Sequence, residues 1–192
     1  MAAAASFSFN WLPRGASYST EPSRPWRTAN LAHARKVADL GLYSVTFNNI
    51  LDRDYATVEA YAEFRADAVK NKFRHFLEVF NPNAPQNLDP AVMPFFVNDM
   101  IIRVLAGVSK AERPSFLKMP FNGRKAMAEL ASHDPSLIIG ILGGSPGTTR
   151  DCFELLAQGE KASARVALFG RTTNPVERPH DLVALIRPFP QG

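Results

Sequence analysis

Cysteine is almost missing from this chain. Its 192 residues hold one, Cys152. No intrachain disulfide can form, and His33, His75, His133 and His180 show no metal-ligand spacing with it or with one another. A chain with neither feature is expected in a reducing, cytoplasmic compartment. Long apolar runs are missing too, so no membrane-spanning helix is expected. Positive charge is in excess, with 22 Lys and Arg against 18 Asp and Glu. That excess belongs to residues 1–36, which hold five bases and one acid, while residues 37–192 hold 17 of each. The body of the chain is therefore neutral. It has no basic stripe interleaved with aromatics, and a nucleic-acid partner is not expected. Two nucleotide signatures are also absent, the Gly-Lys-Ser/Thr of a Walker A loop and Gly-x-Gly-x-x-Gly.

What remains is an ordinary globular composition, 46% hydrophobic and 21% charged. The length is enough for one substantial domain. Residues 1–30 differ from the rest. They are rich in Ala, Ser, Arg and Pro, hold one acid, and are interrupted by Pro13, Pro22 and Pro25. An irregular or disordered leader is the expectation, with an organelle targeting peptide as the second reading.

From residue 31 the chain alternates. "LAHARKVADLG" reads as a short helix stopped at Gly41, and "LYSVTFNN" as a strand. In "DYATVEAYAEFRADAVKNK", Tyr55, Val58, Ala62, Ala66 and Val69 recur at steps of three and four, which predicts a helix with those residues inward. "FRHFLEVF" reads as a strand. Asp89 and Pro90 read as an N-cap and first position of the helix "AVMPFFVNDMIIRVLAG". Strand "SFLKMPF", helix "GRKAMAELAS" and strand "SLIIGILGG" follow. Helix "RDCFELLAQGEKAS", opened by Thr148 and Asp151, strand "ARVALFG" and helix "ERPHDLVALIR" complete the series. Five strands alternating with helices predict a parallel α/β fold, either an open doubly wound sheet or part of an eight-stranded barrel.

Three places could carry chemistry. Gly143, Gly144, Ser145 and Gly147 lie between a strand and a helix, where backbone N–H groups and the helix dipole hold anions. A tight turn is the plainer reading, but two adjacent glycines with a serine and the threonines Thr148 and Thr149 favour phosphate. Gly170 and Arg171 end the next strand and offer a close backbone approach and a forked cation for phosphate. Lys118 sits mid-strand, sharing a face with Phe116 and Pro120, and Glu78 shares one with Phe76 and Phe80. On the residues alone, a structural Lys118–Glu78 ion pair or an exposed edge lysine comes first. The functional alternative is a buried amine that attacks a carbonyl, with Glu78 transferring protons. His75 falls on the face opposite Glu78 and reads as packing or solvent-facing. Cys152 reads as a small buried residue within a helix. Asn48, Asn49, Asn81, Asn83 and Asn122 cluster at strand ends, most of them as turn formers.

The series "FLEVFNP", "FLKMPFNG", "GILGGSPGTT", "VALFGRTTN" resembles the carboxy-terminal half of the class I, Schiff-base aldolases. This is the TIM-barrel group of fructose-bisphosphate, tagatose-bisphosphate and deoxyribose-phosphate aldolases. The resemblance covers roughly residues 40–190. It implies a partial (β/α)8 barrel over residues 31–192, comprising strands four to eight. It also implies Lys118 as the Schiff-base lysine and Glu78 as its catalytic neighbour. Gly143, Gly144, Ser145, Gly170 and Arg171 become the phosphate site. The substrate implied is a phosphorylated sugar or ketone, and Schiff-base chemistry calls for no metal or other cofactor. Thr172, Thr173 and Asn174 depart from the group's usual continuation. Strands one to three have no counterpart, which would leave raw sheet edges. The leader would cover them, two copies would associate across them, or the chain would be a truncated and inactive product. A non-catalytic phospho-ligand module is thus the alternative to a lyase, and a doubly wound nucleotide- or phosphate-binding domain is the third reading.

Overall fold

The computed structural model describes residues 31–36, 38, 40–142 and 149–168. Five strands alternate with helices, and the chain divides into two compact units, Met1–Met119 and Pro120–Gly192.

The first unit runs α1 (Leu31–Ala34), β1 (Leu40–Thr46), α2 (Leu51–Lys70), β2 (Arg74–Phe80), α3 (Met93–Leu105) and β3 (Leu117–Met119). β1 pairs β2 in parallel from Leu40↔Arg74 to Thr46↔Phe80, and β2 pairs β3 in parallel at Leu77↔Leu117 and Glu78↔Lys118. Gly41 does not end a helix, because it lies within β1 opposite His75, and α1 is a single turn. Strand pairing outweighs the local stop signal there.

α2 forms where the spacing predicts a helix, but on a different face. Asp54, Thr57, Tyr61, Phe64 and Ala68 are buried, whereas Tyr55 and Val69 are 61% and 43% exposed. The inward stripe is displaced from the all-apolar one because polar groups on it find partners. The Asp54 carboxylate accepts N–H bonds from Asn48 and Ile50 at 3.0 and 3.1 Å, and the Thr57 hydroxyl donates to the Arg53 carbonyl at 2.9 Å. α3 also starts later than expected. Asp89 accepts the Ala91 N–H at 2.8 Å and closes a turn around Pro90, and Pro94 takes the tolerated place in the first turn of the helix.

The second unit contains α4 (Arg124–His133), β4 (Ile139–Leu142), α5 (Thr149–Lys161) and β5 (Val166–Leu168), with β4 and β5 parallel. Cys152 is buried in α5, as its position in the sequence indicates. A Cβ at Gly159 would lie 2.7 Å from Ile141 Cδ1, so the glycine lets α5 lie close to β4. The last helix expected, over residues 177–187, lies outside the described residues.

The core of the first unit is aromatic. Tyr43 from β1 meets Tyr61 and Phe64 of α2 at centroid distances of 5.1 and 4.4 Å. His75 of β2 stands edge-on to both, at 5.7 and 5.1 Å, and its Nε2 hydrogen-bonds the Tyr61 hydroxyl at 2.8 Å. His75 therefore packs. Burial, aided by the Arg65 charge, lowers its pKa to about 4. The unfolded chain binds this proton near the ordinary 6.5, so His75 favours folding fully above that pH and progressively less as pH falls toward 4. In urea titrations across this window, His75→Gln should flatten the fall in stability by on the order of 3 kcal/mol relative to wild type. Equal slopes for the two proteins would contradict the burial of a neutral imidazole.

Candidate functional site

Parallel pairing sets laterally adjacent residues on the same face of the sheet. The register Ser44↔Glu78 and Glu78↔Lys118 therefore makes one row of three polar side chains across β1, β2 and β3. The row lies on the face opposite His75 and Tyr43. Beside it, Phe76 and Phe116 stack at 4.6 Å with ring planes 13° apart. That pair makes an apolar wall on the amino-terminal side of the row.

The contacts within the row are direct. Lys118 Nζ lies 2.6 Å from Glu78 Oε1, and Ser44 Oγ donates to Glu78 Oε2 at 2.9 Å. Each carboxylate oxygen thus has its own donor. A buried carboxylate is costly unless paired and hydrogen-bonded, and here it is both. The two ends differ in access. The Glu78 side chain keeps 7% of its surface open, and that of Lys118 keeps 18%. The lysine is the more open of the two side chains.

The row can do two things chemically. It can stay a charge pair that fixes strand register. It can also pass one proton from the ammonium to the carboxylate, which leaves a neutral amine with a carboxylic acid beside it. Ser44 holds the carboxylate in place in both cases.

Sequence reasoning paired Lys118 with Glu78 but missed Ser44. Its signal was present, a small polar residue in the middle of the apolar run "LYSVTF". The asparagines largely hold loops. Asn48 Oδ1 accepts the N–H groups of Asn83 and Ala84 at 3.0 and 2.9 Å, and Asn49, at φ 58°, donates to the Gln86 carbonyl. Gly143, Gly144, Ser145, Gly147, Thr148, Gly170 and Arg171 lie outside the described residues. Among the described residues no cluster of His, Cys, Asp or Glu could hold a metal ion, and no helix is long and apolar enough to cross a membrane.

Removing one partner from a buried pair costs more than removing both. Lys118→Met should destabilise the protein by about 2–3 kcal/mol in urea unfolding, because Glu78 loses its counter-charge. Adding Glu78→Gln to that variant should recover at least half of the loss. A double variant less stable than the single one would mean that the two side chains do not depend on each other.

A scan against protein-family models finds no match, and a search of curated protein sequences finds none. Among solved structures, a Schiff base-forming fructose-1,6-bisphosphate aldolase matches with a TM-score of 0.65 at 13% sequence identity. The match covers 88% of this chain and 67% of that one. With its five parallel strands alternating with helices, the chain has an α/β fold similar to part of that aldolase's TIM barrel.

Proposed function

We propose that this chain is a class I aldolase-like lyase acting on a phosphorylated sugar or ketone through a Schiff base on Lys118. The observation that carries the reading is the Lys118–Glu78 pair, in the interior of a parallel sheet with the lysine as its more open end. The likeness to a Schiff base-forming aldolase supports the fold on which such chemistry is performed.

The chemistry follows from the row. Glu78 takes a proton from the Lys118 ammonium. The free amine adds to the substrate carbonyl and forms a carbinolamine. Glu78, now an acid, returns the proton to the departing hydroxyl, and water leaves. The product is an iminium; Glu78, a carboxylate again, takes the proton of the hydroxyl on the far carbon of the bond to be cleaved, that carbon leaves as a carbonyl, and the electron pair of the broken carbon–carbon bond passes to the iminium to give an enamine. Ser44 donates to Oε2 throughout and keeps Oε1 directed at the amine. It acts through Glu78 and is a positioning residue. The phosphate site proposed is Gly143, Gly144 and Ser145 with Gly170 and Arg171. Backbone N–H groups and a guanidinium are the donors that phosphate oxygens require. No metal enters these steps.

Borohydride reduces an iminium to a stable secondary amine, so intact mass reads the intermediate. Wild-type protein incubated with dihydroxyacetone phosphate and a panel of sugar phosphates should gain an adduct with at least one, and Lys118→Ala with none. Ser44→Ala should trap ~10-fold more slowly, the size of one lost hydrogen bond to a charged group, about 1.5 kcal/mol. A folded wild type that binds a sugar phosphate without an adduct would replace the lyase with a non-catalytic phospho-ligand module. An adduct that persists in Lys118→Ala would move the chemistry elsewhere.

A further inference from the structure

β1 stands at one edge of the sheet, since among the described residues it pairs with β2 alone. It carries none of the usual protection of an edge. Its sequence, LGLYSVT, has no charge and no proline, and its register with β2 runs without a bulge. Edge strands of folded proteins are commonly blunted by one of these devices. Gly41 to Val45 are also buried. An apolar, unguarded edge of this length is a template for a further strand.

One run of this chain has the pattern that such an edge accepts. Ser6, Ser8 and Asn10 alternate with Phe7, Phe9 and Trp11, and Pro13 ends the run. A period of two is the signal of a strand with one polar and one apolar face. The alternation matches β1 face by face. Leu42, Ser44 and Thr46 share the face of Glu78, and Tyr43 and Val45 lie on the other. With Ser6, Ser8 and Asn10 on the side of Ser44, the three aromatic residues fall on the side of Tyr43 and Val45.

The connection fits as well. Parallel strands need a crossover of about a dozen residues or more. Residues 13–39 supply 27. A crossover must also return to the amino ends of the strands, and α1 stands there. Arg35 Nε donates to the Lys72 carbonyl at 3.0 Å, just before β2, and Leu31 and Ala34 are buried.

We propose that residues 6–12 add a strand to the free edge of β1, parallel to it. Ser44 then becomes interior to the sheet, with a polar neighbour on its outer side. The occupant belongs to the same chain, so its tether holds it at a high local concentration that a second copy lacks.

Hydrogen exchange of the full-length protein, read by mass spectrometry, tests this. Residues 6–12 should exchange at least ~100-fold more slowly than an unstructured chain, equally so on dilution. Successive N–H groups of a strand point to opposite sides, so one of Ser8→Pro and Phe9→Pro must remove a ladder bond. That variant should lose the protection of residues 6–12 and speed exchange in residues 40–46 at least ~10-fold, while residues 149–161 keep theirs. Free exchange of residues 6–12 in the folded wild type overturns the proposal. So does protection that fades on dilution, which would give the edge to a second copy. A pattern that neither proline changes overturns it as well.

Discussion

A carboxylate in the middle of a sheet has few ways to exist. It must be protonated, or be met by donors that replace the water it has lost. Glu78 meets this constraint through its neighbours on both sides, Ser44 on β1 and Lys118 on β3. Those neighbours are opposite it only because both strands pair with β2 in one register. A slip of one residue in β3 would carry Lys118 to the face occupied by Tyr61 and His75 and leave Glu78 without its cation. The charge row and the register therefore hold each other in place. The same arrangement leaves the lysine as the more open side chain of the pair.

The two faces of the first unit divide the work. The face toward α2 is aromatic and supplies the burial, with Tyr43, Tyr61, Phe64 and His75 in mutual contact. His75 stays neutral there because burial resists its proton. The opposite face carries the polar row, bounded by the stacked Phe76 and Phe116. The two strand ends divide as well. The carboxyl ends lead into loops braced by Asn48, Asn49 and Asn83, and α1 stands at the amino ends, tied to the Lys72 carbonyl. The strand proposed beside β1 would bring Ser44, and through it Glu78, in from the margin of the sheet.

Much of the architecture was legible because strand and helix periods are local. The five strands lie where apolar or aromatic runs place them, and the Lys118–Glu78 pair followed from two isolated charges at equivalent places in successive strands. What was not legible depended on partners distant in sequence. The inward face of α2 could not be read from apolar spacing, because Asp54 is buried by bonds to Asn48 and Ile50. Gly41 looked like a helix stop, because its pairing with His75 comes from a strand 34 residues away in register. Asp89 caps a turn, and not α3, because Pro90 closes that turn first. Ser44 was overlooked because a serine has no charge to mark it, and its value appears only once Glu78 is beside it.

The proposed chemistry requires a reversible imine at Lys118, and loss of the carbonyl oxygen as water reports that step directly. Dihydroxyacetone phosphate labelled with oxygen-18 at the carbonyl can be mixed with the protein and its isotopic composition followed by mass spectrometry. Wild type should exchange the label with solvent well above the rate without protein, and Lys118→Met should not. Exchange no faster than in buffer, from a folded protein shown to bind the ketone, would contradict a Schiff base. Exchange as fast in Lys118→Met as in wild type would contradict the residue.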